Sequence, residues 1–150
     1  MSEQPKTVVI LMADDDADDR LLAKDALTEC RLANEIQFVE NGEELMDYLH
    51  RRGQYSPPAA VSRPGIILLD LNMPRKDGRE VLATIKVDAR FKRIPVVVLT
   101  TSQAEEDILR AYNLNANCYV TKPVDLEQFL HVVRSIEEFW LTIVKLPAES

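Results

Sequence analysis

GIILLDLNMPRKDG (residues 65–78) is the stretch from which the fold can be inferred. Its first part, GIILLD, is apolar without interruption from Ile66 to Leu69 and stops at Asp70, whereas LNMPRKDG is rich in turn-forming residues and predicts a loop. A strand that is apolar on both of its alternating faces must be covered on both sides. The stretch therefore predicts an inner strand of a layered sheet, and this strand ends on a carboxylate.

Outward from this strand, apolar runs alternate with helical patterns along the chain. Further strands are predicted at TVVILM (7–12), EIQFV (35–39), IPVVVLT (94–100) and CYV (118–120). Apolar residues at helical spacing follow each strand, first over 18–30 and then after the capping residues Asn41, Asp77, Ser102 and Asp125. The last helix is expected to turn Leu126, Phe129, Leu130 and Val133 inward. This alternation predicts a doubly wound α/β fold, in which a five-stranded parallel sheet is covered by five helices.

The bulk composition narrows the functional classes. With 150 residues, 46% of them apolar and 29% charged, the chain is expected to form one soluble domain, 1–150. Its net charge of −7 and the lack of a basic stripe argue against nucleic-acid binding. No apolar run approaches the roughly 18 residues of a membrane span, and the N-terminus lacks a secretory pattern, so a cytoplasmic location is expected. The two cysteines and two histidines lack metal-site spacing and are expected to be structural.

Chemically useful side chains follow the predicted strands at their carboxyl ends. They are Asp14-Asp15-Asp16 after the first strand, Asp70 after the third, Thr100-Thr101-Ser102 after the fourth and Lys122-Pro123 after the fifth. In a doubly wound sheet these ends share one edge, and ligands bind there. Crowded carboxylates require a cation, and an open oxygen site suits Mg²⁺. A carboxylate beside Mg²⁺ and an ammonium group is a suitable nucleophile for phosphorus.

The motifs ILMADDD, ILLDLNMPRKDG, VVVLTTS and CYVTKP together resemble those of response-regulator receiver domains over residues 6–137. The resemblance implies a flavodoxin-like strand order of 2-1-3-4-5. It also implies a role for each matching position. Asp70 is similar to the phosphoacceptor, Asp15 to a direct ligand of Mg²⁺ (or Mn²⁺), Asp14 to a ligand acting through water, and Asn72 to a ligand through its backbone carbonyl. Thr100 matches the switch hydroxyl, Lys122 the phosphate-pairing lysine and Tyr119 the switch aromatic. Asp16 is interpreted as a helix-capping or flanking residue.

The resemblance also implies how such a protein signals. A receiver domain is not an enzyme acting on other substrates, but it catalyses its own phosphorylation and slow dephosphorylation. Phosphorylation is expected to alter the face formed by the fourth predicted helix, the fifth strand and the fifth predicted helix. With no output domain in the sequence, the signal is expected to pass to a downstream protein or a phosphotransfer protein.

Three further segments resemble the small single-domain regulators that partner bacterial phytochrome-type histidine kinases. They are the loop 53–64, KRIPVVVLTTS (92–102) and IEEFWLTIVKLP (136–147). A sensor histidine kinase of this type is therefore the expected phosphodonor.

The C-terminal extension, 138–150, predicts an interaction surface. Apolar residues continue past the inward stripe of the last helix, at Phe139, Trp140, Ile143 and Val144. A patch containing Phe and Trp that the core cannot cover is typical of a partner surface, so we expect a homodimer built on these residues. The alternative is that the tail folds back on its own domain.

Other functional classes fit the sequence less well. A flavin-binding flavodoxin needs a loop after the first strand that gives backbone amides to a phosphate, and DDDADD would repel that phosphate. A phosphatase of the Asp-nucleophile class carries a D-x-D pattern after the first strand, which occurs here as Asp14 and Asp16. A degenerate receiver would lack some of the site residues, but each one is present.

Overall fold

A single parallel sheet organises the chain. The computed structural model describes residues 8–29, 33–57, 63–70, 78–100, 118–121 and 125–139. Its strands are β1 (Val8–Ala13), β2 (Ala33–Val39), β3 (Ile66–Asp70), β4 (Val96–Thr100) and β5 (Cys118–Thr121). They pair in parallel in the order β2-β1-β3-β4-β5. The predicted flavodoxin-like sheet is thus confirmed, with strand bounds one or two residues from those expected.

Helices connect these strands. They are α1 (Ala17–Leu27), α2 (Gly42–His50), α3 (Gly78–Val87) and α4 (Leu126–Phe139), and a short 3₁₀ turn, Gly53–Tyr55, begins the predicted loop 53–64. The helix expected after Ser102 lies outside the described residues, so the count of five helices stays a prediction. No helix in the described part of the chain is both long and apolar enough to cross a bilayer.

The sheet separates two hydrophobic cores, as a doubly wound fold requires. Alternate residues of the inner strands point to opposite faces. On one face, Leu11, Ile67 and Val98 pack with residues of α2 and α3. On the other face, Ile10 and Leu68 pack with residues of α1 and α4. Every residue of β3 is buried, which explains the uninterrupted apolar run that predicted this strand.

Two of the predicted helix caps are confirmed within the described ranges. The Asn41 side chain accepts a hydrogen bond from the Glu44 amide (2.8 Å), and the Asp125 side chain accepts one from the Gln128 amide (2.9 Å). Both bonds satisfy amide groups that the first turn of a helix leaves without an intrahelical acceptor.

One inward residue of the last helix was predicted wrongly. Leu126 is 44% exposed because it is the first residue of α4, where no preceding helical turn covers it. The buried stripe begins one turn later, at Phe129, Val132 and Val133. Leu130 is partly buried against the same core.

Candidate functional site

Strand register brings Asp14 and Asp70 to the same level at the carboxyl edge of the sheet. Ala13 of β1 pairs with Leu69 of β3, so the residue after each is an aspartate at the same height. Asp14 continues the ladder toward β2, because its amide donates to the carbonyl of Val39 at 3.0 Å. Met12 and Leu68 lie two residues before Asp14 and Asp70, and both pack on the side of the sheet that α1 and α4 cover. Because side chains two apart in a strand point to the same face, the two aspartates also point to this side.

Three carboxylates meet at this edge. One oxygen from each of Asp14, Asp15 and Asp70 lies within 4.8 Å of the other two. Asp14 is 0% and Asp70 1% exposed, whereas Asp15 is exposed to solvent. The structure therefore brings together the three acidic residues that the sequence predicted for the site, with two of them in the interior and one at the opening.

The donor set fits a hard divalent cation. Carboxylate oxygens are the ligands that Mg²⁺ and Mn²⁺ accept, and Mg²⁺ usually binds through one or two carboxylates while keeping several waters. Three carboxylates this close repel one another unless positive charge is added. The exposed position of Asp15 leaves the cluster open on one side, where water and a phosphoryl group can approach.

Asp16 has a structural role. Its side chain accepts hydrogen bonds from the amides of Asp18 (2.8 Å) and Asp19 (3.2 Å), which makes it the N-cap of α1. Its own amide donates to Oδ1 of Asp14 at 2.9 Å. The predicted capping role is confirmed, and this geometry disfavours a D-x-D nucleophile pair, because the second carboxylate is used by the helix.

Arg20 is a residue near the site that was not predicted from the sequence. Its Nη1 donates to the backbone carbonyl of Asp14 at 2.9 Å, and its Nη2 lies 3.8 Å from Oε2 of Glu40. One signal could have revealed it. A cation near the start of α1 is unfavourable for the helix dipole, which suggests a contact beyond the helix.

Glu44, in the first turn of α2, links the start of that helix to the 3₁₀ turn. Its Oε1 accepts from the amide of Glu40 at 2.8 Å, and its Oε2 accepts from the hydroxyl of Tyr55 at 2.6 Å and from the side chain of Gln54 at 3.1 Å. Burial and the hydrogen bond to Glu44 raise the pKa of Tyr55. The first part of the 53–64 segment is therefore fastened beside the end of β2.

The remaining predicted residues are placed only in part. The backbone of Thr100 ends β4 and pairs with Thr121, and Tyr119 pairs with Val98. Phe139 is the last residue of α4. The other predicted site and interface residues lie outside the described ranges, namely Asn72, Lys122, Trp140, Ile143 and Val144. The roles of all these residues stay predictions.

The chain resembles phytochrome-associated proteins in sequence and structure. It is 45% identical over 144 residues to the response regulator Rcp1 of Synechocystis, and the alignment covers 96% of this chain and 95% of Rcp1. A crystal structure of the phosphorylated cyanobacterial phytochrome response regulator RcpA is similar at 48% identity and a TM-score of 0.78, covering 91% of this chain and 95% of RcpA. A structure of Rcp1 with Mn²⁺ bound matches at 44% identity and a TM-score of 0.76, covering 93% and 96%.

The family model described as the response regulator receiver domain matches residues 10–134. This range begins at Ile10 in β1 and ends within α4, so it includes most of β1, the other four strands and the three clustered carboxylates. The chain belongs to the family of response-regulator receiver domains.

Proposed function

We propose that this chain is a phosphoacceptor response regulator, and that a histidine kinase transfers a phosphoryl group to Asp70. The observation that carries the proposal is the position of the Asp70 carboxylate. It lies at the carboxyl end of β3, 1% exposed, within 4.8 Å of carboxylate oxygens of Asp14 and Asp15. Membership of the receiver family supports the same assignment.

The proposed cofactor is Mg²⁺, with Mn²⁺ as a substitute. The carboxylates of Asp14, Asp15 and Asp70 and the backbone carbonyl of Asn72 would hold it, with Asp14 acting through water. Bound there, the cation would offset the charge of the carboxylates and of the phosphoryl oxygens. The donor set of the described cluster supports a hard divalent ion, and the similar protein Rcp1 has a structure with Mn²⁺ bound.

The proposed chemistry is a phosphoryl transfer onto a carboxylate. A carboxylate oxygen of Asp70 forms a bond to phosphorus while the N–P bond of the phosphohistidine donor breaks, and the nitrogen keeps the electron pair. Hydrolysis reverses this step: the oxygen of a water molecule forms a bond to phosphorus while the P–O bond to Asp70 breaks, which gives inorganic phosphate, the free carboxylate and a proton released to solvent. Lys122 and Thr100 would contribute an ammonium charge and a hydroxyl donor to the phosphoryl oxygens. The chain is proposed to act on no other substrate.

The proposed phosphodonor is a phytochrome-type sensor kinase, with action in the cytoplasm. Similarity to RcpA and Rcp1 over more than nine-tenths of the chain supports this pathway. Phosphorylation would draw Thr100 toward the phosphoryl group and let Tyr119 turn inward. The face formed by the helix predicted after Ser102, by β5 and by α4 would then differ between the two states. A downstream or phosphotransfer protein with unequal affinity for the two states would respond to the difference.

Labelling tests the proposal directly. The wild-type chain should be labelled by acetyl phosphate with Mg²⁺, and also by a phytochrome-type kinase with ATP, and chelation should abolish the labelling. Asp70→Asn should remove it in both assays. Asp16→Asn is the matched control, because it removes a carboxylate from the same acidic run and because asparagine, like aspartate, can cap a helix. Metal-dependent labelling that persists in Asp70→Asn would exclude Asp70 as the acceptor.

Two further outcomes separate alternative functions. Lys122→Ala should still accept some phosphoryl group but should lose most of the conformational response to it. Steady turnover of a generic phosphate ester would instead favour the phosphatase class over a receiver.

The proposed assembly is a homodimer built on Phe139, Trp140, Ile143 and Val144. The described part of α4 has an apolar side facing α1, and the apolar pattern of the sequence continues beyond that helix. Deletion after Ser135 should convert a dimer to a monomer in sedimentation or light scattering. A dimer of unchanged stability in the truncated chain would argue against the tail as the interface.

A further inference from the structure

Arg20 connects the ends of two neighbouring strands beside the carboxylate cluster. It extends from α1 over the β1–α1 loop, where its Nη1 donates to the carbonyl of Asp14 at 2.9 Å. Its Nη2 lies 3.8 Å from Glu40, the residue after β2. Asp14 itself follows β1, and its amide donates to Val39 at the end of β2. The two guanidinium branches therefore span the ends of β1 and β2.

The acceptor of the second branch is itself held in place. The Glu40 amide donates to Oε1 of Glu44 at 2.8 Å, and Oε2 of Glu44 accepts from the hydroxyl of Tyr55 at 2.6 Å. The arginine is thus seated between the cluster on one side and the start of α2 on the other. Only 21% of its side chain is exposed, whereas the partner carboxylate of Glu40 is 65% exposed. The hydrogen bond to the Asp14 carbonyl is the more protected of the two contacts.

We infer that Arg20 is a positioning residue, which fixes the backbone of the β1–α1 loop so that Asp14 and Asp15 can share a divalent cation with Asp70. The inference rests on the proposed function, because it assigns a role within the same site. Arg20 need not touch the cation or the phosphoryl group. It acts on the peptide between two ligand side chains, since the carbonyl that it holds joins Asp14 to Asp15.

Two physical effects of Arg20 on metal binding have opposite signs. A positive charge beside three carboxylates repels an incoming dication, so charge alone predicts that removal of Arg20 tightens binding. A fixed loop lowers the ordering cost of binding, so positioning predicts that removal weakens it. The sign of the change in affinity therefore tells which effect dominates.

Lysine separates charge from geometry. A guanidinium donates through two branches at once, whereas an ammonium is a single point charge on a flexible stem. Arg20→Lys keeps the charge and loses the two-branched contact, and Arg20→Met loses both. If position dominates, both variants should bind Mg²⁺ about tenfold more weakly, as is typical when an outer-shell partner of a metal ligand is removed.

The experiment is calorimetric titration of the full-length chain with Mg²⁺ and then with Mn²⁺, without a phosphodonor. Lys24→Met is the matched control, since it removes an exposed cation one turn further along α1, and it should leave the affinity unchanged or slightly higher. Urea unfolding of each variant shows whether it is folded. Hydrogen exchange of the Asp16 amide, which donates to Asp14, should become faster in both Arg20 variants.

The outcomes are distinct. Weaker binding by both Arg20 variants, with the Lys24 control unchanged, supports the inference. An Arg20→Met protein that is folded and binds Mg²⁺ as tightly as wild type, or more tightly, overturns it. So does an Arg20→Lys protein with wild-type affinity and exchange, because the two-branched contact would then not be needed. If the wild-type chain neither binds Mg²⁺ nor becomes labelled, the proposed function fails, and this inference with it. If wild type does both and the variants match it, only the role of Arg20 is lost.

Discussion

Replacing Asp70 by asparagine should stabilise the metal-free protein, even though it removes the proposed phosphoacceptor. The carboxylate oxygens of Asp14, Asp15 and Asp70 lie within 4.8 Å of one another, and Asp14 and Asp70 are buried. At an effective dielectric constant of about 20, two unit charges at that separation repel by about 3.5 kcal/mol. Most of this repulsion disappears on unfolding, so it lowers the free energy of unfolding.

The expected net gain is smaller than the full repulsion. An amide accepts weaker hydrogen bonds than a carboxylate, which costs about 1.5 kcal/mol. Solvent screens the contribution of the exposed Asp15. We therefore expect the free energy of unfolding to rise by about 2 kcal/mol, or the Tm by about 4–8 °C for a chain of this length.

Urea unfolding followed by circular dichroism, with and without Mg²⁺, measures this effect. In a chelator, Asp70→Asn should unfold at higher urea than wild type. With Mg²⁺ at about 100 times its Kd, the wild-type chain gains about 2.7 kcal/mol. At this Mg²⁺ concentration the free energy of unfolding of wild type should equal or exceed that of Asp70→Asn, because the variant has lost one ligand of the cation.

Asp25→Asn controls for net charge, because Asp25 is an exposed residue of α1 and its replacement changes the charge equally. Its effect should stay within about 0.5 kcal/mol. Repulsion at the carboxylate cluster is excluded as a destabilising effect if Asp70→Asn is no more stable than wild type in the chelator, or if Asp25→Asn gains as much. It is also excluded if the advantage of Asp70→Asn in the free energy of unfolding is the same at saturating Mg²⁺.

Three further predictions follow from other described contacts. Asp16→Ala removes the cap that receives the Asp18 and Asp19 amides and should lower the free energy of unfolding by about 1 kcal/mol, whereas Asp16→Asn should change it by a few tenths, both measured by urea unfolding. Phe129→Ala empties a position that is 2% exposed beneath α4 and should cost about 3–5 kcal/mol, while a cost below about 1 kcal/mol would mean that the position collapses or is not packed. Burial, followed by neighbouring arginine charge, holds the pKa of His50 below its usual value, so the unfolded chain binds more protons than the folded chain between that lowered pKa and about 6.5. The free energy of unfolding should therefore rise with pH across this window and fall on acidification, and urea midpoints at pH 5.5 and 7.5 should differ less in His50→Gln than in wild type.

Strands buried on both faces could be predicted from the sequence because their burial leaves a direct trace. Ile66–Leu69 and Val96–Leu99 are apolar at each position, and each position is buried in the structure. The first and last residues of strands and helices are harder to predict from the sequence. β2 begins at Ala33 rather than Glu35, because pairing with Val8 of β1 extends the strand past its apolar residues. α1 ends at Leu27, three residues before the end of the helical pattern predicted over 18–30.

Part of the candidate site could be predicted from the sequence and part could not. Asp14, Asp15 and Asp70 could be predicted as neighbours, since parallel strands bring their carboxyl ends to one edge. The contact between Arg20 and Glu40 could not, because it joins an early turn of a helix to the end of another strand. No periodicity records such a contact, and it depends on the reach and direction of one side chain.

The packing of α1 on α4 provides a physical link between the acidic loop that precedes α1 and the C-terminal tail that follows α4. Ala23, Ala26 and Leu27 of α1 share a core with Phe129 and its neighbours in α4. The helix that anchors the acidic loop is therefore the direct neighbour of the helix that leads into the tail. If that neighbour relation couples ion uptake to self-association, equilibrium thermodynamics makes the coupling mutual, and the factor by which magnesium strengthens pairing must equal the factor by which pairing strengthens magnesium binding. A concentrated solution of this protein would then saturate with the ion at a lower magnesium level than a dilute one.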